Sequence, residues 1–248
     1  MKLGSFPSNK LPELGFSSYL AESSSFSPTD ISGLLVWNKS ESLDVLSIDD
    51  PISTWADSSG NGYDLTGSLT VRPLKKTVSS RSCALFDGSN DILANTALPA
   101  RSTNPFTIYV VLKRVEDTLT WQTYFQFGDN TNTNMAANYD NSSNHILNVN
   151  SFGSAPPAGG PTASLNTEII RIRRSTNIFL SQNDGVEVDF GNITLNPDPG
   201  YIVGGETVYS QYFGGYIFEV LVYDSSLSEE NQELVEAYLA EKFTVTMA

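Results

Sequence analysis

The chain has 248 residues, and 28 acidic against 14 basic side chains give it a formal charge of −14. A field of that sign repels phosphate backbones and anionic lipid, which excludes nucleic acid and membrane surfaces as partners. With Cys83 its one cysteine and His145 its one histidine, the chain lacks the parts for an intrachain disulfide, a zinc cluster or a Ser-His-Asp triad.

A chain of this length buries roughly three quarters of its unfolded surface, enough for one large core. Aromatics at 11%, with 18 Gly and 12 Pro, suit many strands joined by turns. Residues 1–30 keep no sustained period and mix Ser, Pro and Gly with isolated Phe6, Phe16, Tyr19 and Phe26. They read as an extended arm that packs on its own sandwich or on a neighbouring subunit and mediates assembly, with residues 31–248 as one domain. The start, Met1-Lys2-Leu3-Gly4-Ser5-Phe6-Pro7, lacks the apolar core of a secretion signal, so the expectation is synthesis in a cytoplasm without the usual export route.

Ser32 to Trp37 is the first predicted strand, and Asn38 to Leu46 a short helical or irregular excursion. Trp55-Ala56-Asp57-Ser58-Ser59-Gly60-Asn61-Gly62 then sets a large apolar anchor before a turn of Asp, Ser, Gly and Asn, so Trp55, Asp57, Gly60, Asn61 and Gly62 read as a fixed structural loop. Strands follow over Thr66 to Val71 and Ser82 to Phe86, and the second stops at a turn where Asp87, Gly88 and Asp91 form the partner structural loop. Phe106 to Lys113 is the clearest strand, with Phe106, Ile108, Val110 and Leu112 on one face.

Trp121 to Phe127 is another strand. Gly128 to Asn144 is a long polar loop, divided at most by a short irregular strand, that offers amides, carboxylates and an aromatic ring. Asp129, Asn130, Asn138, Tyr139 and Asp140 are its candidate ligand-binding residues. His145 to Phe152, Glu168 to Arg173, Asn177 to Gln182, Val186 to Phe190, Tyr201 to Gly204 and Gly214 to Tyr223 complete the strands. A helix over 228–242 closes the chain, capped by Ser228, with Leu234 and Tyr238 toward the sheets.

Five segments carry a resemblance: Gly33-Leu34-Leu35-Val36-Trp37, the Trp55 to Gly62 loop, Arg72-Pro73, Phe86-Asp87-Gly88-x-x-Asp91, and Gly215-x-Ile217-x-Glu219 with its helix. From about residue 31 to 243 the chain resembles the laminin-G-like branch of the concanavalin A-like lectin/glucanase superfamily, of the kind found in tailed-phage appendages. The resemblance implies an antiparallel jelly-roll β-sandwich, all-β but for the C-terminal helix and the N-terminal arm, and a recognition module more often than an enzyme. It requires no cofactor. It admits calcium at the sandwich edge, for which Asp57, Asn61, Asp87 and Asp91 are oxygen donors of the right type; the same four also serve as turn acceptors.

Glu187-Val188-Asp189 resembles the start of the carboxylate strand in the glucanase branch, but Gly191 and Asn192 stand where the second glutamate belongs, so no catalytic residue is assigned. The expectation is a non-enzymatic structural or adhesion protein on the virion surface, in a phage tail or capsid. It would assemble with itself and other virion proteins and show a lectin-like face to a host glycan. A free or surface-attached carbohydrate-binding lectin is the second reading, and a glycanase the third.

Overall fold

The computed structural model describes residues 26–115, 121–128, 135–140, 142, 144–149, 160–196, 198–206 and 209–248. All but the last five residues of the arm expected over 1–30 lie outside them. In chain order the strands are β1 (Leu34–Asn38), β2 (Thr54–Trp55), β3 (Leu65–Thr66), β4 (Leu74–Val78), β5 (Arg81–Asp87), β6 (Leu93–Asn95), β7 (Phe106–Arg114), β8 (Gln122–Phe127) and β9 (Met135–Tyr139). They continue with β10 (His145–Val149), β11 (Glu168–Arg174), β12 (Ile178–Gln182), β13 (Val188–Asp189), β14 (Tyr201–Val203), β15 (Gly205–Glu206), β16 (Gln211–Tyr212) and β17 (Gly214–Tyr223), and helix α1 (Glu229–Phe243) follows.

Among the described residues these strands form two sheets. One runs β13-β12-β11-β7-β17-β5-β4 with β1 also on β17, and the other β10-β9-β8-β14-β6-β3-β2 with β15 and β16 alongside β8. Pairing is antiparallel except where β16 meets β8 at Tyr212 and Thr123. This is the antiparallel sandwich with one C-terminal helix that the strand periodicities predict.

The alternation in β7 sorts its side chains between two apolar layers. Phe106, Ile108, Val110 and Leu112 pack between the sheets with Phe125, Phe127 and Tyr201, while Tyr109 and Val111 join Phe218, Leu221, Leu239 and Phe243 on the far side of the first sheet. Each such burial contributes about 1.5–3 kcal/mol before ordering costs. Helix α1 covers that second layer. Ser228 caps it by accepting from the Asn231 amide at 3.3 Å, Glu229 and Glu230 sit at its positive end, and Thr244 terminates it in the left-handed region at φ 56°. Val235, Leu239 and Phe243 form its buried face at a spacing of four, whereas Leu234 is only half-buried. Tyr238 stands at the flank, edge-on to Trp37 at 6.4 Å. Cys83 lies fully buried in the same layer, and burial pushes its thiol up to about 12.

Several segments differ from the sequence expectation, among them β4 over Leu74–Val78, where no strand was expected. The strand expected over Thr66 to Val71 is two residues of β3, and that over Val186 to Phe190 is two residues of β13. The long polar loop is crossed by β9, which pairs β8 on one side and β10 on the other. Met135, Ala137 and Tyr139 alternate into the core there, so a buried neighbour on each side makes a strand of a segment whose asparagines read as loop.

Candidate functional site

The Trp55 loop clasps β1. Trp55 is fully buried, its indole N–H donates to the Lys39 carbonyl at 2.9 Å, and its own carbonyl accepts from Asn38 Nδ2 at 3.0 Å. The Asp57 carboxylate accepts from the Trp37, Ser59 and Tyr63 amides and the Ser59 hydroxyl, all within 3.0 Å. Asn61 Nδ2 donates to the Leu34 and Leu35 carbonyls, and Gly60 and Gly62 hold φ of 92° and 78°, where a Cβ would be strained. At the partner turn Asp87 Oδ1 accepts from the Ser89 and Asn90 amides, and Gly88 sits at φ 75°. Asp91 Oδ2 accepts from the Asp87 amide, while burial first, and the Asp87 charge second, push the Asp91 carboxyl upward.

Of the four candidate oxygen donors for calcium, Asp57 has no lone pair left to offer an ion. A carboxylate offers about four lone-pair sites, and those of Asp57 are taken by its four donors. Among the described residues no group of three or more His, Cys, Asp or Glu gathers to hold a metal.

Of the residues expected to bind a ligand, Asp129 and Asn130 lie outside the described residues. Asn138 and Tyr139 belong to β9 and are fully buried, so neither is open to a ligand. Tyr139 donates to Glu168 Oε2 at 3.2 Å, and the Arg114 guanidinium lies 4.4 Å from its ring centroid. Asp140 caps a turn by accepting from the Ser142 and Asn144 amides. His145 is buried between the Tyr124 hydroxyl and Glu168, each at 3.2 Å. Glu187 is clamped by Arg173 and Arg171, and Asp189 accepts from Asn177 Nδ2 and the Gly191 amide, so the two carboxylates serve separate structural bonds.

A different place is open. Where β5 ends and β8 and β17 begin, a pocket of ≈ 540 Å³ is lined by Phe86, Asp87, Trp121, Gln122, Ser210 and Tyr212. Leu85, Gly88, Gly214 and the half-exposed Val115 complete it. Backbone bonds tie its edges: the Gly88 amide donates to the Phe213 carbonyl at 3.1 Å and the Val115 amide to the Gly214 carbonyl at 3.2 Å. The Gly214 amide donates to Gln122 Oε1 at 3.1 Å, which joins β17 to β8.

Its aromatic wall is fixed from behind. A Cβ on Gly205 would stand 2.6 Å from Tyr212 Cδ1, so the ring packs directly on that glycine's backbone. Asn138 Nδ2 donates to Thr123 Oγ1 at 2.7 Å and to Gln211 Oε1 at 2.8 Å, and this buried pair of bonds pins β16 beside the pocket. Asn138 therefore holds the neighbour of a pocket residue without lining the pocket. Two aromatic rings with Asp87, Gln122 and Ser210 supply what a sugar requires: planar apolar surface for its C–H faces and acceptors and donors for its hydroxyls.

In the sequence Trp121 marks only the start of a strand, and Tyr212 stands in no predicted element. Their signal was composition: Trp121 follows the polar Glu116-Asp117-Thr118, and Tyr209-Ser210-Gln211-Tyr212 precedes a Gly214-Gly215 pair.

The two sheets define the chain's class: its fold is an antiparallel β-sandwich of jelly-roll type with one C-terminal helix. No family model matches the sequence, and no curated protein matches it. Solved structures do match in fold. Trypanosoma rangeli sialidase in complex with sialic acid superposes with a TM-score of 0.59 at 14% identity over 86% of this chain and 33% of that one. Domain 4 of AbnA, a GH43 extracellular arabinanase from Geobacillus stearothermophilus, in complex with arabinotriose, gives 0.57 at 15% identity, covering 81% of this chain and 97% of that domain. An arabinofuranosidase complexed with arabinofuranosyl-alpha-1,2-xylobiose gives 0.60 at 12% identity over 78% and 51%. The chain thus spans a third of the sialidase, half of the arabinofuranosidase and nearly all of the arabinanase domain. These neighbours belong to glycoside hydrolases, which overturns the expectation of a non-enzymatic virion protein of a phage tail or capsid, and with it the exclusion of an enzyme.

Proposed function

We propose that this chain is a glycan-engaging β-sandwich domain of a glycan-processing enzyme, and that it holds its ligand in the Trp121–Tyr212 pocket. The carrying observation is that pocket, where the aromatic side chains of Phe86, Trp121 and Tyr212 and three polar side chains line preformed backbone. The fold neighbours support the reading, because one of them is a single domain of an arabinanase with an arabino-oligosaccharide bound.

Calorimetric titration with neutral arabino- and xylo-oligosaccharides tests it. Trp121→Ala and Tyr212→Ala are each expected to weaken binding at least about tenfold, which is about 1.4 kcal/mol, with an unchanged circular dichroism spectrum. Equal affinity in both variants would place the ligand elsewhere. Release of reducing sugar by the wild type, abolished in Asp87→Asn, would locate hydrolysis in the pocket itself.

A further inference from the structure

We infer that this pocket selects uncharged glycans and rejects those bearing carboxylates, such as sialic and uronic acids; the inference rests on the glycan-binding reading above. Among the described residues lining the pocket, Asp87 is the one charged side chain, and none is cationic.

The nearest cations in sequence are committed elsewhere. Arg114 is buried, with its guanidinium over the Tyr139 ring, and Lys113 alternates with it onto the opposite face of β7. Recognition of a carboxylate in a partly desolvated site needs a matching cation, best supplied by the fork of an arginine. Here an anionic sugar would instead meet Asp87, whose oxygen is already oriented by the Ser89 and Asn90 amides and which cannot turn away without giving up both bonds. The −14 formal charge of the whole chain adds to the repulsion. A neutral glycan avoids that penalty and gains ring stacking and hydroxyl bonds.

The test is calorimetry on the intact chain with three probes, a neutral arabino-oligosaccharide, sialyllactose and trigalacturonate, at about 10 mM and about 500 mM salt, where screening lengths differ severalfold. At low salt the two anionic probes are expected to bind at least tenfold more weakly than the neutral one. That gap should narrow severalfold at high salt and in Asp87→Asn, which keeps the oxygen acceptor and removes the charge. Anionic probes that bind as tightly as the neutral one at low salt overturn the inference and leave the pocket assignment standing. A gap that neither salt nor Asp87→Asn moves also overturns it, since the discrimination then has another source. Failure of all three probes to bind, or binding indifferent to Trp121→Ala, sinks the pocket assignment and this inference together.

Discussion

Trp55 carries three kinds of interaction at once: full burial in the inter-sheet core, an indole N–H bound to the Lys39 carbonyl, and a backbone carbonyl bound to Asn38. Trp55→Ala removes the packing and leaves the Lys39 carbonyl without its donor, and is expected to cost about 3–5 kcal/mol. Chemical denaturation measures this directly; a midpoint within error of wild type would mean that the loop does not depend on its anchor. What a sequence can show at this scale is local, such as an apolar anchor before a turn of Asp, Gly and Asn within eight positions. The pocket is not of that kind. Phe86, Trp121 and Tyr212 sit on β5, before β8 and on β16, and only the crossing of the strands brings them together. Tyr139 shows the converse error. Its polar neighbours suggested a binding loop, but the ring points into the core, since alternation in a strand overrides the composition around it.

Helix α1 is joined to β11 by charge as well as by apolar packing. Glu236, on the buried side of the helix, meets the Arg171 guanidinium, which also reaches Glu187 at 3.3 Å and Asp184 at 3.6 Å. Burial pushes the Glu236 carboxyl up to about 7 against the pull of Arg171. An unfolded chain releases that proton near pH 4.3. The folded form therefore binds a proton that the unfolded form has lost, and the stability from this group is fully present below about pH 4.3 and is lost as pH rises through about 7. Between pH 5 and 8 the wild type should lose stability on the order of 2 kcal/mol relative to Glu236→Gln, whose amide does not titrate. Parallel melting curves of the two proteins across that range would refute the assignment. At this scale the sequence was legible where a periodicity ran long, as in β7 and α1, with its Ser228 cap and early glutamates. It was not legible in β9, and it gave β13 too great a length, because a short strand exists only through the partners that pair with it and leaves little period of its own.

Taken whole, the molecule is two sheets with an apolar layer between them and a second layer under α1, and an aromatic pocket sits at the rim. The all-β class was readable from turn chemistry and strand periods because many short segments agreed. Function was not, because the same sandwich serves several chemistries and the choice among them rests on a few rim residues. One buried atom gives the fold its own timer. The Cys83 sulfur lies on β5, opposite Lys76 of β4 and within the layer that α1 covers, so a small thiol reagent reaches it only when the helix lifts or that edge of the sheet parts. Its reaction rate in native buffer then counts those excursions one by one. The rate is expected to be at least about a thousandfold below that of the denatured chain, corresponding to an opening free energy of about 4 kcal/mol. Labelling at the denatured rate would show the outer layer standing open. Within the expected range, the same sulfur reports whether a sugar seated at the rim, where Leu85 and Phe86 of the same strand line the pocket, steadies the sheet beneath the helix, with no probe added to the protein.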